Sequence, residues 1–340
     1  MNNDSVIISI TPETDAFQDV DDGPEPHAPS EWRDGVIGAQ QHGWRLDQAL
    51  GVLAPELSRN YLQQLIEAGA VTLNGVRAQK QSTKVKAGSS LRLEMRQTAQ
   101  STAFKAEPMD LHVVHRDDHI LVIDKPAGLV VHPAPGHWSG TLMNGLLAID
   151  PRAAVLPRAG IVHRLDKDTS GLMVVARTRA AMDTLVQRIA AREVKRNYIA
   201  IAHRPWNGAR ERDVEAAIGR DPRHRLRMAV VDLASQSGKA AKTSFEMLDS
   251  GAAGCVVRCR LHTGRTHQIR VHMASLGHPL LADALYGGQT QQGLSRQALH
   301  AQQLAFFHPA SDQWMSFESR IPQDMADAAR AWGLSYNSRA

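Results

Sequence analysis

The sequence predicts a mixed α/β (α+β) chain with a largely antiparallel central sheet, preceded by a small helix-rich unit. Strand-like and helical runs succeed one another without regular alternation and with several short connections, which disfavours a parallel sheet of repeated βαβ units. A helix-helix-strand-turn-strand pattern stands apart near the start. The 340 residues are 43% apolar and 22% charged, ordinary for globular protein and enough for two or three domains of roughly 100 to 200 residues each.

Residues 1–40 read as an acidic flexible tail. They hold nine Asp or Glu against Arg33 alone, mix Pro with Gly and Ser, and offer too little apolar surface to offset ordering entropy. The chain's net charge of +4 therefore hides a basic body, net +12 over residues 41–340. That excess suits a polyanionic partner, because every phosphate neutralised releases condensed counterion.

Residues 43–96 form the small unit. Leu46, Ala49 and Leu50 mark one helical stripe; Ser58 is placed to cap a second helix, whose Leu62, Leu65 and Ile66 share a face. Val71 to Leu73 then runs into Asn74-Gly75, a type I′ hairpin signal, and Ser90 to Met95 alternates as a later strand. Polar residues from Gln97 open a linker, 97–108. The long domain, 109–325, has strand-like runs at Leu111–Val114, Ile120–Ile123, Leu129–Val131, Leu172–Ala176, Tyr198–Ala202 and Val256–Leu261. Helical stretches are expected around Thr141–Ala148, Arg179–Glu193 and Gln297–Leu304, and residues 326–340 are left as a C-terminal segment.

Several classes are disfavoured. No apolar run nears the ~18 residues a membrane helix needs, and the opening residues lack a basic and an apolar signal region, so no membrane role and a cytoplasmic location are expected. Cys255 and Cys259, if on one strand, lie roughly 13 Å apart, beyond disulfide reach. Neither a Gly-Lys-Ser/Thr phosphate loop nor a Gly-x-Gly-x-x-Gly fingerprint occurs. His267, His272 and His278, followed by Asp283, lack the spacing of a metal site, so no metal is expected.

Chemistry concentrates in Gly160-Ile-Val-His163-Arg164-Leu-Asp166-Lys-Asp168-Thr-Ser-Gly171, a loop crowded with ionisable groups ahead of an apolar strand. On local physics, Asp168 to Gly171 could be only a turn and Asp166 only a surface acid. Yet His163-Arg164-Leu165-Asp166-x-x-Thr169-Ser170-Gly171 resembles the defining loop of the RluA-type pseudouridine synthases. Lys125-Pro126-Ala127-Gly128 before it, Lys195-Arg196-Asn197-Tyr198 after it, and Leu261-x-Thr263-Gly264-Arg265-Thr266-His267-Gln268-Ile269-Arg270 later follow that family's order. The small unit resembles the S4 RNA-binding domain.

The resemblance implies a pseudouridine synthase fold and an enzyme that isomerises uridine in large-subunit ribosomal RNA, specifically in helix 69, alone or within a pre-ribosomal particle. It implies Asp166 as the catalytic carboxylate, Arg270 as its ion-pair partner and Tyr198 stacked on the target base near C5. Arg164, His163, Lys125, Arg265 and His267 are the expected RNA contacts of the long domain; Arg45, Arg59, Lys80 and Lys84 are those of the small unit. The reaction breaks C1′–N1 and rejoins the base through C5 without redox change, so no cofactor is expected, and the protein is expected to be a monomer. A shielded uridine must first be turned out of its stack, at a cost of a few kcal/mol. Rival readings are a synthase for another rRNA site or transfer RNA, and a non-catalytic ribosome-assembly factor.

Overall fold

The computed structural model describes residues 31–55, 57, 59–95, 104–134, 137–224, 226–290 and 293–336. They fall into two compact units that divide between residues 102 and 103.

The first unit contains β1 (Glu31–Val36), α1 (Leu46–Leu53), α2 (Arg59–Glu67), β2 (Val71–Leu73), β3 (Val76–Arg77) and β4 (Ser90–Met95), with sheet order β1-β4-β2-β3. Leu46, Leu50, Leu62, Leu65 and Ile66 pack on Val71, Leu91 and Leu93, the faces that the periodicity assigns inward. Asn74 and Gly75 take φ of 53° and 78°, the left-handed pair that a two-residue I′ hairpin requires. Ser58, the expected cap, lies outside the described residues. The flexible tail is corrected at its end: residues 31–36 are strand β1, antiparallel to β4. Its Glu-Trp-Arg-Asp-Gly-Val carries no alternation, because an edge strand holds on through backbone pairing and can afford charge. Arg92 of β4 lies 4.5 Å over the Trp32 ring.

Asp47 in α1 is buried and accepts hydrogen bonds from Arg45, Arg59 and Gln63. The expectation that Arg45 and Arg59 are simply RNA contacts is thereby corrected: Arg59, with Gln63, ties α2 to α1 through Asp47, and Arg45 braces the same carboxylate from the start of α1. Lys80 and Lys84 are exposed. Burial alone would raise the Asp47 pKa, but the bonds from Arg45, Gln63 and Arg59 outweigh it and hold the carboxyl at about 2. A folded pKa below the unfolded value means that this contribution is complete above pH ~4 and fades as pH falls toward 2. Asp47→Asn is expected to cost this unit about 2 kcal/mol at neutral pH and to flatten its acid dependence, both read from denaturant melts at stepped pH.

The second unit is built on one nine-stranded sheet. Its strands are β5 (His112–Arg116), β6 (Ile120–Lys125), β7 (Ser170–Ala176), β8 (Lys195–His203), β9 (Glu211–Glu215), β13 (Lys242–Ser250), β14 (Gly254–Leu261), β15 (Leu299–Phe307) and β16 (Trp314–Glu318). A smaller sheet joins β10 (Ile218–Arg220), β11 (Met228–Val230) and β12 (Gly238–Lys239). The main order is β5-β6-β7-β15-β8-β14-β13-β9, with β16 on β15. Only β7–β15 is parallel among the described pairings of that sheet, so the largely antiparallel expectation holds. Helices α3 (Leu142–Ile149) and α5 (Gln268–Ser275) pack on one face. Helices α4 (Arg179–Ala190) and α6 (Gln323–Ala331) pack on the other.

Three expectations change here. Gln297–Leu304 is not a helix but most of β15, because the sheet buries Leu299, Ala301 and Leu304 on its two faces. Leu129–Val131 is a connection rather than a strand, its carbonyls being taken by Lys125 and by the start of α3. The segment after residue 325 is not separate: Ala328, Ala329 and Leu334 join Met325 in the core beneath β8 and β14. Cys255 and Cys259 are free and buried on β14.

Candidate active site

The loop before β7, the first half of β8, the end of β14 and the turn into α5 converge on one cavity of about 360 Å³, within the size range of small-molecule sites. Gly171 seats the loop on the sheet: its φ is 114°, and a Cβ there would lie 2.3 Å from the Ala301 carbonyl oxygen. On the opposite wall, His267 takes the left-handed region at φ 57° and turns the chain into α5. The buried Gln268 holds that turn, accepting from Thr263 Oγ1 at 2.7 Å and the Arg265 amide at 3.0 Å while donating to Lys242 O and Thr243 Oγ1.

Asp166 reaches the cavity with its side chain 18% exposed. Arg270, from the first turn of α5, donates from Nη1 to Asp166 Oδ2 at 3.1 Å. Its other edge is locked: Nε and Nη2 donate to the two oxygens of buried Asp283 at 2.7 and 2.8 Å. Burial opposes the Arg270 charge, but Asp283 and then Asp166 push its pKa up, so this cation is permanent. A fixed guanidinium gives the carboxylate it faces a lasting charge-assisted hydrogen bond. The Arg270 guanidinium also lies 5.0 Å from the Tyr286 ring centre, a cation–π distance.

His267 Nε2 is 4.0 Å from Asp166 Oδ2, and its Nδ1 is 2.8 Å from Tyr286 Oη. Tyr286 Oη also accepts the Met228 amide, so this hydroxyl ties the imidazole to the strand at Met228. Burial lowers the His267 pKa, with Asp166 acting the other way. His267, expected as an RNA contact, is thus in the carboxylate's own surroundings. Tyr198 lines the cavity two residues beyond Arg196 on β8. Burial pushes its hydroxyl up to about 12, which keeps it a neutral phenol at pH 7.

Arg164 and Arg265 also line the cavity, the first exposed and the second half-buried. His163, expected as an RNA contact, is engaged by the strand that follows its own loop. Its Nε2 accepts the Val174 amide at 3.1 Å, and burial followed by the charge of Arg196 lowers its pKa to about 3, leaving it neutral. Lys125 is corrected outright: it is fully buried, and Nζ donates to the carbonyls of Pro126, Leu129 and Lys167 at 2.8, 3.0 and 2.9 Å. Burial draws its pKa down to about 7, against the pull of Asp168 and Asp166. Its work is to stitch the turn after β6 to the Asp166 loop. Lys125→Met should strand three acceptors and cost about 3 kcal/mol or more, seen as a lowered denaturation midpoint.

Asp283, Tyr286 and Arg196 are the site groups that sequence reasoning passes over as functional. Asp283 is 13 residues past Arg270 with no local pattern to mark it, whereas the two-residue step from Arg196 to Tyr198 already places both on one face of a strand. Among the described residues no group of three or more His, Cys, Asp or Glu could hold a metal ion, and no helix is long and apolar enough to cross a membrane.

Comparison with known proteins bears on the whole arrangement. Residues 119–275 match the family described as RNA pseudouridylate synthase, and residues 44–91 match the S4 domain. A Nitrosomonas europaea protein named ribosomal large subunit pseudouridine synthase D is 47% identical over 299 residues, 85% of this chain and 84% of that one. A protein of the same name from Xanthomonas campestris is 43% identical over 329 residues, covering 90% and 96%. In fold, human RNA pseudouridylate synthase domain containing 1 aligns over 67% of this chain and 98% of its own, with a TM-score of 0.50 at 24% identity.

Proposed function

Because the chain belongs to the RNA pseudouridylate synthase family, with an S4 domain ahead of the synthase unit, we propose that it converts uridine to pseudouridine in large-subunit ribosomal RNA, at helix 69, in the cytoplasm and as a monomer. The observation that carries the chemistry is the Asp166 carboxylate held by a doubly anchored Arg270 inside a cavity that Tyr198 also lines. The target nucleotide is flipped into this cavity, its ribose at Asp166 and its base against Tyr198. Asp166 then acts at the sugar, as nucleophile at C1′ or as base toward the C2′ proton, and both routes release N1 with its bonding electrons. The base turns and C5 bonds to C1′, displacing the Asp166 carboxylate on the first route or with Asp166 returning the proton to C2′ on the second; the C5 proton then leaves and N1 regains one. Atoms and electrons balance within the nucleotide, so no co-reactant is needed.

A phenol with a pKa near 12 is a poor proton acceptor at pH 7, which supports stacking rather than base catalysis as the role of Tyr198. Exposed Arg164 and, in the S4 unit, Lys80 and Lys84 are suited to phosphates, and such contacts weaken as salt rises. The test is a site-resolved pseudouridine map of ribosomal RNA from cells with and without the protein. Loss confined to helix 69 is expected; loss at other sites or in transfer RNA would move the substrate, and an unchanged map would leave a binding factor.

A further inference from the structure

Arg196 is a cation without an anion. It is 6% exposed, its Nε is buried with no hydrogen-bond partner, and no described carboxylate pairs with it. It lines the same cavity as Asp166 and Tyr198. Gly264 makes room for it: a Cβ at that glycine would lie 3.1 Å from Arg196 Nη1. A second unused donor is in the same wall. His163 Nε2 accepts a backbone amide, so its proton sits on Nδ1, which is buried and unpaired. An unpaired buried guanidinium costs a protein stability, and one that faces a substrate cavity is paired when the cavity fills.

We infer that Arg196, assisted by His163 Nδ1–H, receives the negative charge of the uracil as it leaves C1′, and so acts as a catalytic residue for glycosidic cleavage. This rests on the proposed isomerisation. When C1′–N1 breaks, the electron pair stays on N1 and spreads over O2 and O4; when C5 bonds to C1′ the pair returns to that bond. A phosphate is the less fitting occupant, because backbone phosphates remain outside, where exposed Arg164 and Arg192 meet them. Arg196, only 6% exposed, is withdrawn from the surface that those two arginines share, as a contact to an inserted nucleoside would be. The nucleoside's base is the part beside Tyr198, two residues along the same strand face. A fixed cation in a site closed to water stabilises developing charge far better than one in solvent.

The experiment uses the full chain and a large-subunit RNA transcript that the wild-type protein modifies. Arg196→Gln should lower the single-turnover rate about 10²–10³-fold, with RNA affinity unchanged and with a melting temperature at or above that of wild type, since the substitution removes an unpaired buried charge. Arg196→Lys should keep part of the rate. Methylguanidinium should revive Arg196→Ala but not Asp166→Asn. An unchanged saturating rate in Arg196→Gln, a loss confined to affinity, a lowered melting temperature accounting for the deficit, or failure of the guanidinium rescue would overturn the assignment. A wild-type protein inert on every large-subunit transcript would instead overturn the reading on which it rests.

Discussion

Asp166→Asn is expected to abolish pseudouridine formation, with a rate loss on the order of 10⁴-fold or more, while RNA binding survives. The amide keeps the shape of the carboxylate and can still meet Arg270, so the cavity is preserved. What it loses is the charge that attacks the sugar or removes its proton. Quantifying pseudouridine after single turnover and titrating the same transcript for binding separates the two effects. Turnover near the wild-type rate would take Asp166 out of the reaction.

Arg270→Met should be the most damaging change to stability and activity together. Asp283 is buried beside it, and removing the guanidinium would leave that carboxylate uncompensated, at a cost of about 3–5 kcal/mol. Asp166 loses its partner in the same step, so the rate is expected to fall by at least about 10²-fold at a temperature where the variant is still folded. Asp283→Asn provides the graded comparison: Arg270 keeps its 3.1 Å bond to Asp166 but loses the anionic clamp on its far side, and a smaller fall in both quantities should follow. Denaturant midpoints and single-turnover rates of the two variants, side by side, test the ordering; an Arg270→Met protein as stable as wild type would refute the clamp.

Much of this site is legible in the sequence because its key residues sit in three short segments, each carrying its own turn or strand signal. Asp166, Tyr198 and Arg270 come together as the resemblance implies. What the chain hides is what long-range packing decides. Lys125 reads as an RNA contact until the Asp166 loop supplies the Lys167 carbonyl, 42 residues away, that helps to engage it. Asp283 has no role in the sequence beyond following three histidines until α5 presents Arg270. Residues 297–304 have a helical period, yet become strand because a slot between β7 and β8 outweighs local preference. In the S4 unit the hairpin and both helices follow from local pattern, but β1 does not, since only the exposed edge of β4 tells its residues to extend.

That late strand has a consequence for synthesis. β15 lies between β7 and β8, although more than ninety residues separate it from either. While the C-terminal third is still being translated, the two halves of the eventual cleft have no rib to brace them side by side. An emerging fragment ending before residue 299 should therefore be inert, so that catalytic competence arrives in a single late step of the polypeptide's birth.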